Sequence, residues 1–324
     1  MTILFIGLGS IGQRHLRILK NLGVHNCIAV RSGKGKNSEL ESVNTEFSDI
    51  NELSGIEIDG VVISNPTSMH VETAIEAAKL GIPLFIEKPL GKNLDRIDEL
   101  EKIVNEKKVP VLIGYNLLYH PCIEAIKKFM DEGRIGKVIA ARSQFGTFMP
   151  DWHKDEDYKN SYAAKVSLGG GVILTSIHEQ NYLTDLFGKV EDVKAMETGG
   201  NNIGIEAEEG VEILMKHKSG VVSSIHLNFY QKPYYRNCQV IGTEGTMYWD
   251  FMIPEVKHMY KDKTEIIKFR NGPMELLEKS YIKQMQHFLD VIRRKSEPRM
   301  NLKDGTEDMK VALKILSETG RNYN

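Results

Sequence analysis

MTILFIGLGSIGQRH, residues 1–15, begins with a β-branched and aromatic run from Thr2 to Ile6 and passes into a turn with glycines at 7, 9 and 12. Leu16, Ile18, Leu19 and Leu22 follow with helical spacing, so the turn sits between a strand and a helix. That context makes the GxGxxG spacing a dinucleotide-binding signal. Gly7 permits the tight turn, Gly9 lets the backbone approach a pyrophosphate, and Gly12 lets helix and strand pack closely. Ser10 and Ile11 open the helix, whose free N–H groups and dipole favour a phosphate there.

Outward from this turn, strands and helices alternate. Cys27 to Val30 reads as a second strand, and Asp59 to Ser64 as a buried one ended by Asn65-Pro66. Val71, Ala74, Ile75 and Ala78 mark one apolar helical face closed by Gly81. Pro83 to Ile86 is a strand leading into Glu87-Lys88-Pro89, Leu94 to Glu106 an amphipathic helix, and Val109 to Ile113 a further strand. This alternation predicts a doubly wound parallel sheet over residues 1–120. An NAD-type site places an acid about 20 residues beyond the glycines to accept from the ribose 2′-OH. Here Arg31, Ser32 and Lys34 stand in that region, so NADP is favoured over NAD.

From residue 121 the pattern changes. A helix from Pro121 to about Met130 and a strand from Val138 to Phe145 precede an aromatic and charged loop, in which Trp152, His153 and Tyr162 are candidates to close over a ring-shaped ligand. A helix follows Gly169 to Gly171. Strands come next at Val211 to Met215, Val221 to Phe229, Asn237 to Ile241 and Thr246 to Trp249, joined by short turns. Residues 121–324 are therefore expected to form a second domain with a mostly antiparallel sheet, its last helices (Tyr281 to Arg293 and Thr306 to Ser317) returning to the first domain. Alternation of Val211, Ile213, Met215, Ile225, Leu227 and Phe229 suggests an exposed apolar sheet face and hence a homo-oligomer. Lys232, Tyr234, Tyr235 and Arg236 read as sheet-edge and interface residues.

Composition narrows the function classes. The 324 residues carry a formal charge of −2, which gives no support for nucleic acid or an anionic membrane as a partner. Cys27, Cys122 and Cys238 are far apart and form no metal or disulfide framework. The apolar N-terminal run lacks a basic stretch before it and already serves as the first strand, so a cytoplasmic protein is expected.

GLGSIGQRH, NPTSMH (residues 65–70), EKPLGKNL (87–94) and GGGVILTSIHEQNYL (169–183) together resemble the Gfo/Idh/MocA oxidoreductases in order and spacing. The resemblance implies a Rossmann domain followed by an α/β domain with a large open sheet, paired into dimers or tetramers. It also implies NAD(P)-dependent hydride transfer at a hydroxyl or keto carbon of a sugar, sugar phosphate, nucleotide sugar or cyclitol. By the same resemblance Lys88 is catalytic, Glu87 lies by the nicotinamide ribose, Asn65, Pro66 and His70 belong to the cofactor site, and His178 meets the substrate with Tyr115 and Asn116 nearby. A proton must move as the hydride does, and Lys88 and His178 are groups suited to carry it. Thr175, His178, Tyr182 and Asp185 are expected on one polar helical face. Thr175 and Asn181 occupy positions where many members have Asp. That departure leaves two other readings open, a cofactor-binding regulatory subunit and a lyase or hydrolase working by transient oxidation.

Overall fold

The computed structural model describes residues 1–31, 43–152 and 157–323, which divide into two compact units. Residues Met1–Tyr115 with Tyr281–Met309 form the first, and Asn116–Ser280 with Lys310–Asn324 the second.

The first unit alternates strands and helices: β1 (Thr2–Ile6), α1 (Ser10–Asn21), β2 (Asn26–Val30), β3 (Thr45–Phe47), β4 (Gly60–Ile63), α2 (His70–Ala78), β5 (Leu84–Glu87), α3 (Ile97–Lys107) and β6 (Val111–Gly114). The six strands pair in parallel in the order β3-β2-β1-β4-β5-β6, the doubly wound arrangement that the alternation predicts. The order reverses between β1 and β4, so the Gly7 turn and the Asn65-Pro66 turn flank the crevice at the strands' carboxyl ends. Phe85 and Phe288 sit in the core with ring centroids 5.7 Å apart, beside Ile3, Phe5, Leu16 and Leu289. Each such fully buried side chain contributes roughly 1.5–3 kcal/mol. The sequence reading did not pick out β3, whose three residues are too few to show a period.

The second unit contains α4 (Pro121–Asp131), β7 (Val138–Phe148), α5 (Val172–Thr175), α6 (His178–Phe187), β8 (Val190–Glu197), β9 (Gly210–His217), β10 (Val222–Asn228), β11 (Tyr230–Gly242), β12 (Thr246–Asp250), β13 (Ile253–Tyr260) and β14 (Lys263–Lys268). Its eight strands run β14-β13-β12-β11-β7-β10-β9-β8, antiparallel except for β7 with β10. Two long helices, α7 (Pro273–Ile292) and α8 (Leu302–Glu318), complete the chain.

Two sequence expectations about this sheet are corrected. Val211, Ile213, Met215, Ile225, Leu227 and Phe229 do alternate, but they are buried on the face that α5 and α6 cover. The uncovered face carries Arg142, Gln144, Glu212, Ser224, His226, Asn237, Gln239 and Tyr248, which line an open groove of about 460 Å³ together with their neighbours. Arg236 is likewise no edge residue, because β11 lies in the middle of the sheet. All three cysteines are free and buried, and no helix among the described residues is long and apolar enough to cross a membrane.

Candidate active site

In the first unit the three glycines differ in what surrounds them. Gly7 has φ +91°, and a Cβ there would stand 2.6 Å from the Asn65 backbone nitrogen. A Cβ on Gly12 would stand 2.6 Å from both the Gly7 carbonyl and Ser64 Oγ. Among the described residues, nothing lies within 4 Å of a Cβ on Gly9. That opening fronts the start of α1, which has no side-chain cap and no acid in its first turn. Open space at the second glycine, with unneutralised N–H groups behind it, fits a dinucleotide pyrophosphate. Ser64 Oγ donates to the Gly7 carbonyl at 2.8 Å and Asn65 Nδ2 to Thr73 Oγ1 at 2.8 Å, tying the two turns to the fold.

Lys88 follows directly on β5 and is half-buried, at the carboxyl edge where this topology places ligand chemistry. Glu87 is buried, and its two oxygens point into the protein: Oε1 lies 2.6 Å from His15 Nε2, and Oε2 accepts from the Lys88 backbone N–H at 3.1 Å. His70 is also buried, with Nδ1 2.8 Å from the Pro89 carbonyl and Nε2 2.9 Å from the Asn65 carbonyl. Burial lowers its pKa, against the pull of those two carbonyls. The Glu87 carboxylate and the His70 imidazole thus both have partners within the protein. Arg31 directly follows β2, with Nη1 3.4 Å from Glu46 Oε1; Ser32 and Lys34 lie outside the described residues. Tyr115 and Asn116, expected at the substrate, are both buried. Tyr115 is fully buried, its phenol pushed up by burial and by the Asp308 carboxylate, and Asn116 is buried with Nδ2 donating to Ser280 Oγ at 2.9 Å.

In the second unit the glycine triplet is equally constrained. A Cβ on Gly170 would meet the Tyr162 and Ala163 carbonyls at 2.6 Å, and one on Gly171 (φ +93°) the Glu208 carboxylate at 2.2 Å. Glu208 Oε1 accepts from the Ile173 N–H at 3.0 Å, and its other oxygen accepts from Tyr323. Burial pushes this carboxyl up to about 7. The continuous helix with one polar face is not found. Ser176 leaves helical geometry at φ −105°, ψ 31°, so α5 stops and α6 begins at His178. Thr175 and His178 thus belong to separate helices, Tyr182 OH is spent on Ser143 Oγ at 2.5 Å, and Asp185 lies 3.9 Å from Lys127. Asn181 is buried on α6. Trp152 packs edge-on against Phe229, centroids 5.2 Å apart, and donates to Thr147 Oγ1 at 3.0 Å. Tyr162 is exposed beside the glycine triplet, and His153 lies outside the described residues.

Sequence reasoning missed the group that fixes α6. Arg236 Nε lies 2.7 Å from Glu179 Oε1, with both side chains buried, and its guanidinium stacks over Phe145 at 4.5 Å. Burial acts to lower the arginine's pKa, but the Glu179 carboxylate prevails and holds it above its ordinary value. Burial and the Arg236 charge push the neighbouring His120 down to about 3. The adjacent letters His178-Glu179 carried the only hint, an acid beside the candidate histidine.

Two family models match the chain: "Oxidoreductase family, NAD-binding Rossmann fold" over residues 1–115, and "GFO/IDH/MocA C-terminal domain" over residues 123–248. The chain belongs to the Gfo/Idh/MocA family of oxidoreductases. It is similar to levoglucosan dehydrogenase of Pseudarthrobacter phenanthrenivorans, 25% identical over 60% of this chain and 56% of that protein. A similar likeness holds to scyllo-inositol 2-dehydrogenase (NAD(+)) of Bacillus subtilis, 25% identical over 79% of this chain and 74% of the relative. In fold it matches the solved structure of levoglucosan dehydrogenase in complex with NADH, with TM-score 0.85 and 19% identity over 99% of this chain and 97% of that one.

Proposed function

We propose that the protein is an NAD(P)-dependent dehydrogenase or reductase acting on a CH–OH carbon of a sugar or cyclitol derivative. The observation that carries this reading is Lys88 at the carboxyl end of β5, in the same unit as a glycine turn open at Gly9. The two named relatives, a levoglucosan dehydrogenase and a scyllo-inositol 2-dehydrogenase, supply the substrate class. A bound nicotinamide supplies the hydride acceptor or donor. The chain's own part is to seat the pyrophosphate at α1 and to manage the proton on the reacting oxygen, for which Lys88 is the donor or acceptor. His178, at the start of α6, is its substrate-facing acid–base group. The test is a panel of sugars, cyclitols, sugar phosphates and nucleotide sugars, followed by absorbance of the reduced nicotinamide. No substrate-dependent change in either direction would overturn the reading. Thr175 and Asn181, where many members have Asp, favour a second reading, a cofactor-binding regulatory subunit without chemistry of its own; dinucleotide binding without turnover of any member of the panel identifies it.

Arg31, directly after β2, supports NADP as the preferred cofactor. Wild type should bind NADP more tightly than NAD, and Arg31→Ala should narrow the gap by about 1–3 kcal/mol, the range for a charge-assisted hydrogen bond. Equal wild-type affinities would refute the preference. A second copy of the chain is proposed to cover the open sheet face. Met196, Leu214, Val222 and Ile266 all project from it and are 73%, 53%, 44% and 43% exposed, a scatter of apolar groups that partner burial removes from water. Light scattering at micromolar concentration should give a dimer or tetramer mass. The free thiols of Cys27, Cys122 and Cys238 support a cytoplasmic setting.

A further inference from the structure

Lys88 lies between two residues that are each held by a histidine. On one side, Glu87 Oε1 meets His15 Nε2 at 2.6 Å. His15 comes from α1, the helix whose start faces the pyrophosphate position, and its ring is wholly buried, edge-on to Phe85 at 5.1 Å and Tyr281 at 6.0 Å. Its Nδ1 has no hydrogen-bond partner among the described residues, so Nε2 is the nitrogen that carries the proton and donates to the carboxylate. On the other side, the Pro89 carbonyl is 2.8 Å from His70 Nδ1. The opposite nitrogen of that ring reaches the Asn65 carbonyl at 2.9 Å, in the turn that closes over Gly7.

We propose that His15 and His70 are positioning residues that hold Lys88 from both flanks and couple its placement to the seating of the dinucleotide on α1 and the Asn65 turn. The inference rests on the reading of Lys88 as the proton-transfer group. Neither histidine need touch a ligand. Each bridges an element of the dinucleotide site to a residue adjacent to Lys88, and the closeness of fit at such a group governs rate steeply, a displacement of about 1 Å costing up to about 100-fold. Two carbonyls facing one imidazole also make the two ring nitrogens of His70 separable by substitution, since a neutral imidazole donates from one nitrogen at a time, and an Asn amide places a donor at the Nδ1 position and a Gln amide one at the Nε2 position.

The experiment measures three things on folded full-length variants: turnover, dinucleotide affinity by calorimetry, and the rate of acetic anhydride labelling of the Lys88 amine against pH, with and without NADPH. His15→Leu should lose about 10- to 100-fold in kcat with KM little changed, and NADPH should no longer alter Lys88 labelling although it still binds. His15→Gln, which keeps a donor towards Glu87, should recover most of both. His70→Gln, which gives up the Pro89 contact, should be impaired more than His70→Asn, which keeps it. Wild-type labelling and turnover in folded His15→Leu and His70→Gln would overturn the inference. So would equal losses in the two His70 variants, since general destabilisation has no reason to rank them. Should His15→Leu not fold, the His70 pair decides alone. Failure of the Lys88 reading is separately visible: Lys88→Met then keeps its turnover, while the labelling of Lys88 in the histidine variants still reports whether they position it.

Discussion

Replacing the three glycines one at a time separates binding from stability. At Gly12 a Cβ would stand 2.6 Å from a backbone carbonyl and from Ser64 Oγ; the carbonyl cannot retreat without shifting the turn after β1, and the hydroxyl can rotate away only by giving up its hydrogen bond to that carbonyl. Overpacking of this kind costs about 1–3 kcal/mol, and a domain of this size loses about 2–4 °C in Tm per kcal/mol. Gly12→Ala should therefore melt roughly 2–12 °C below wild type. Gly9 has φ −69° and ψ −171°, extended geometry open to any residue, and among the described residues nothing lies within 4 Å of its Cβ position. Gly9→Val should thus fold with a Tm within a few degrees of wild type, yet place its branched side chain where the pyrophosphate approaches, weakening dinucleotide binding more than about tenfold, or 1.4 kcal/mol. Scanning calorimetry gives the first quantity and titration calorimetry the second. Gly9→Val with wild-type affinity, or Gly12→Ala with an unchanged Tm, would refute the division of roles.

Lys88→Met keeps most of the stem and removes the ammonium, so cofactor binding should survive while turnover falls about 10²- to 10⁴-fold, the usual share of general acid–base catalysis; near-normal turnover on the true substrate would remove Lys88 from the chemistry. Arg236→Met should destabilise the protein by about 3–5 kcal/mol, because it removes one member of the buried Arg236–Glu179 ion pair, and adding Glu179→Gln should recover part of the loss in denaturant titrations. Glu208, pushed up to about 7, holds its proton more tightly folded than unfolded. Its contribution is fully present below the ordinary carboxyl range and is lost as pH rises from there through about 7, by about 3 kcal/mol in total. Glu208→Gln should accordingly gain stability relative to wild type between pH 5 and 8; parallel pH profiles of Tm for the two proteins would contradict this.

Most of the first unit was legible because its determinants are local. A β-branched run, three glycines at fixed spacing and a 3.6-residue period need no distant partner, and they specified β1, the turn and α1 within a residue or two. The polar contacts were not legible. His15 and Glu87 are 72 residues apart, Glu179 and Arg236 57, and Glu208 and Tyr323 115, and a buried polar side chain takes whichever partner the topology brings to it. The broken helix at Ser176 has the same origin, for its apolar spacing reads through a stop that the surrounding packing imposes. In the large sheet, the two-residue period correctly grouped Val211, Ile213 and Met215 on one face, and the structure has Glu212, Leu214 and Lys216 on the other. Which of those faces α5 and α6 would cover is a property of the chain's path in three dimensions. The sequence by itself therefore determined which residues share a face, since side chains alternate along any strand, and only the tertiary structure decided which face meets water.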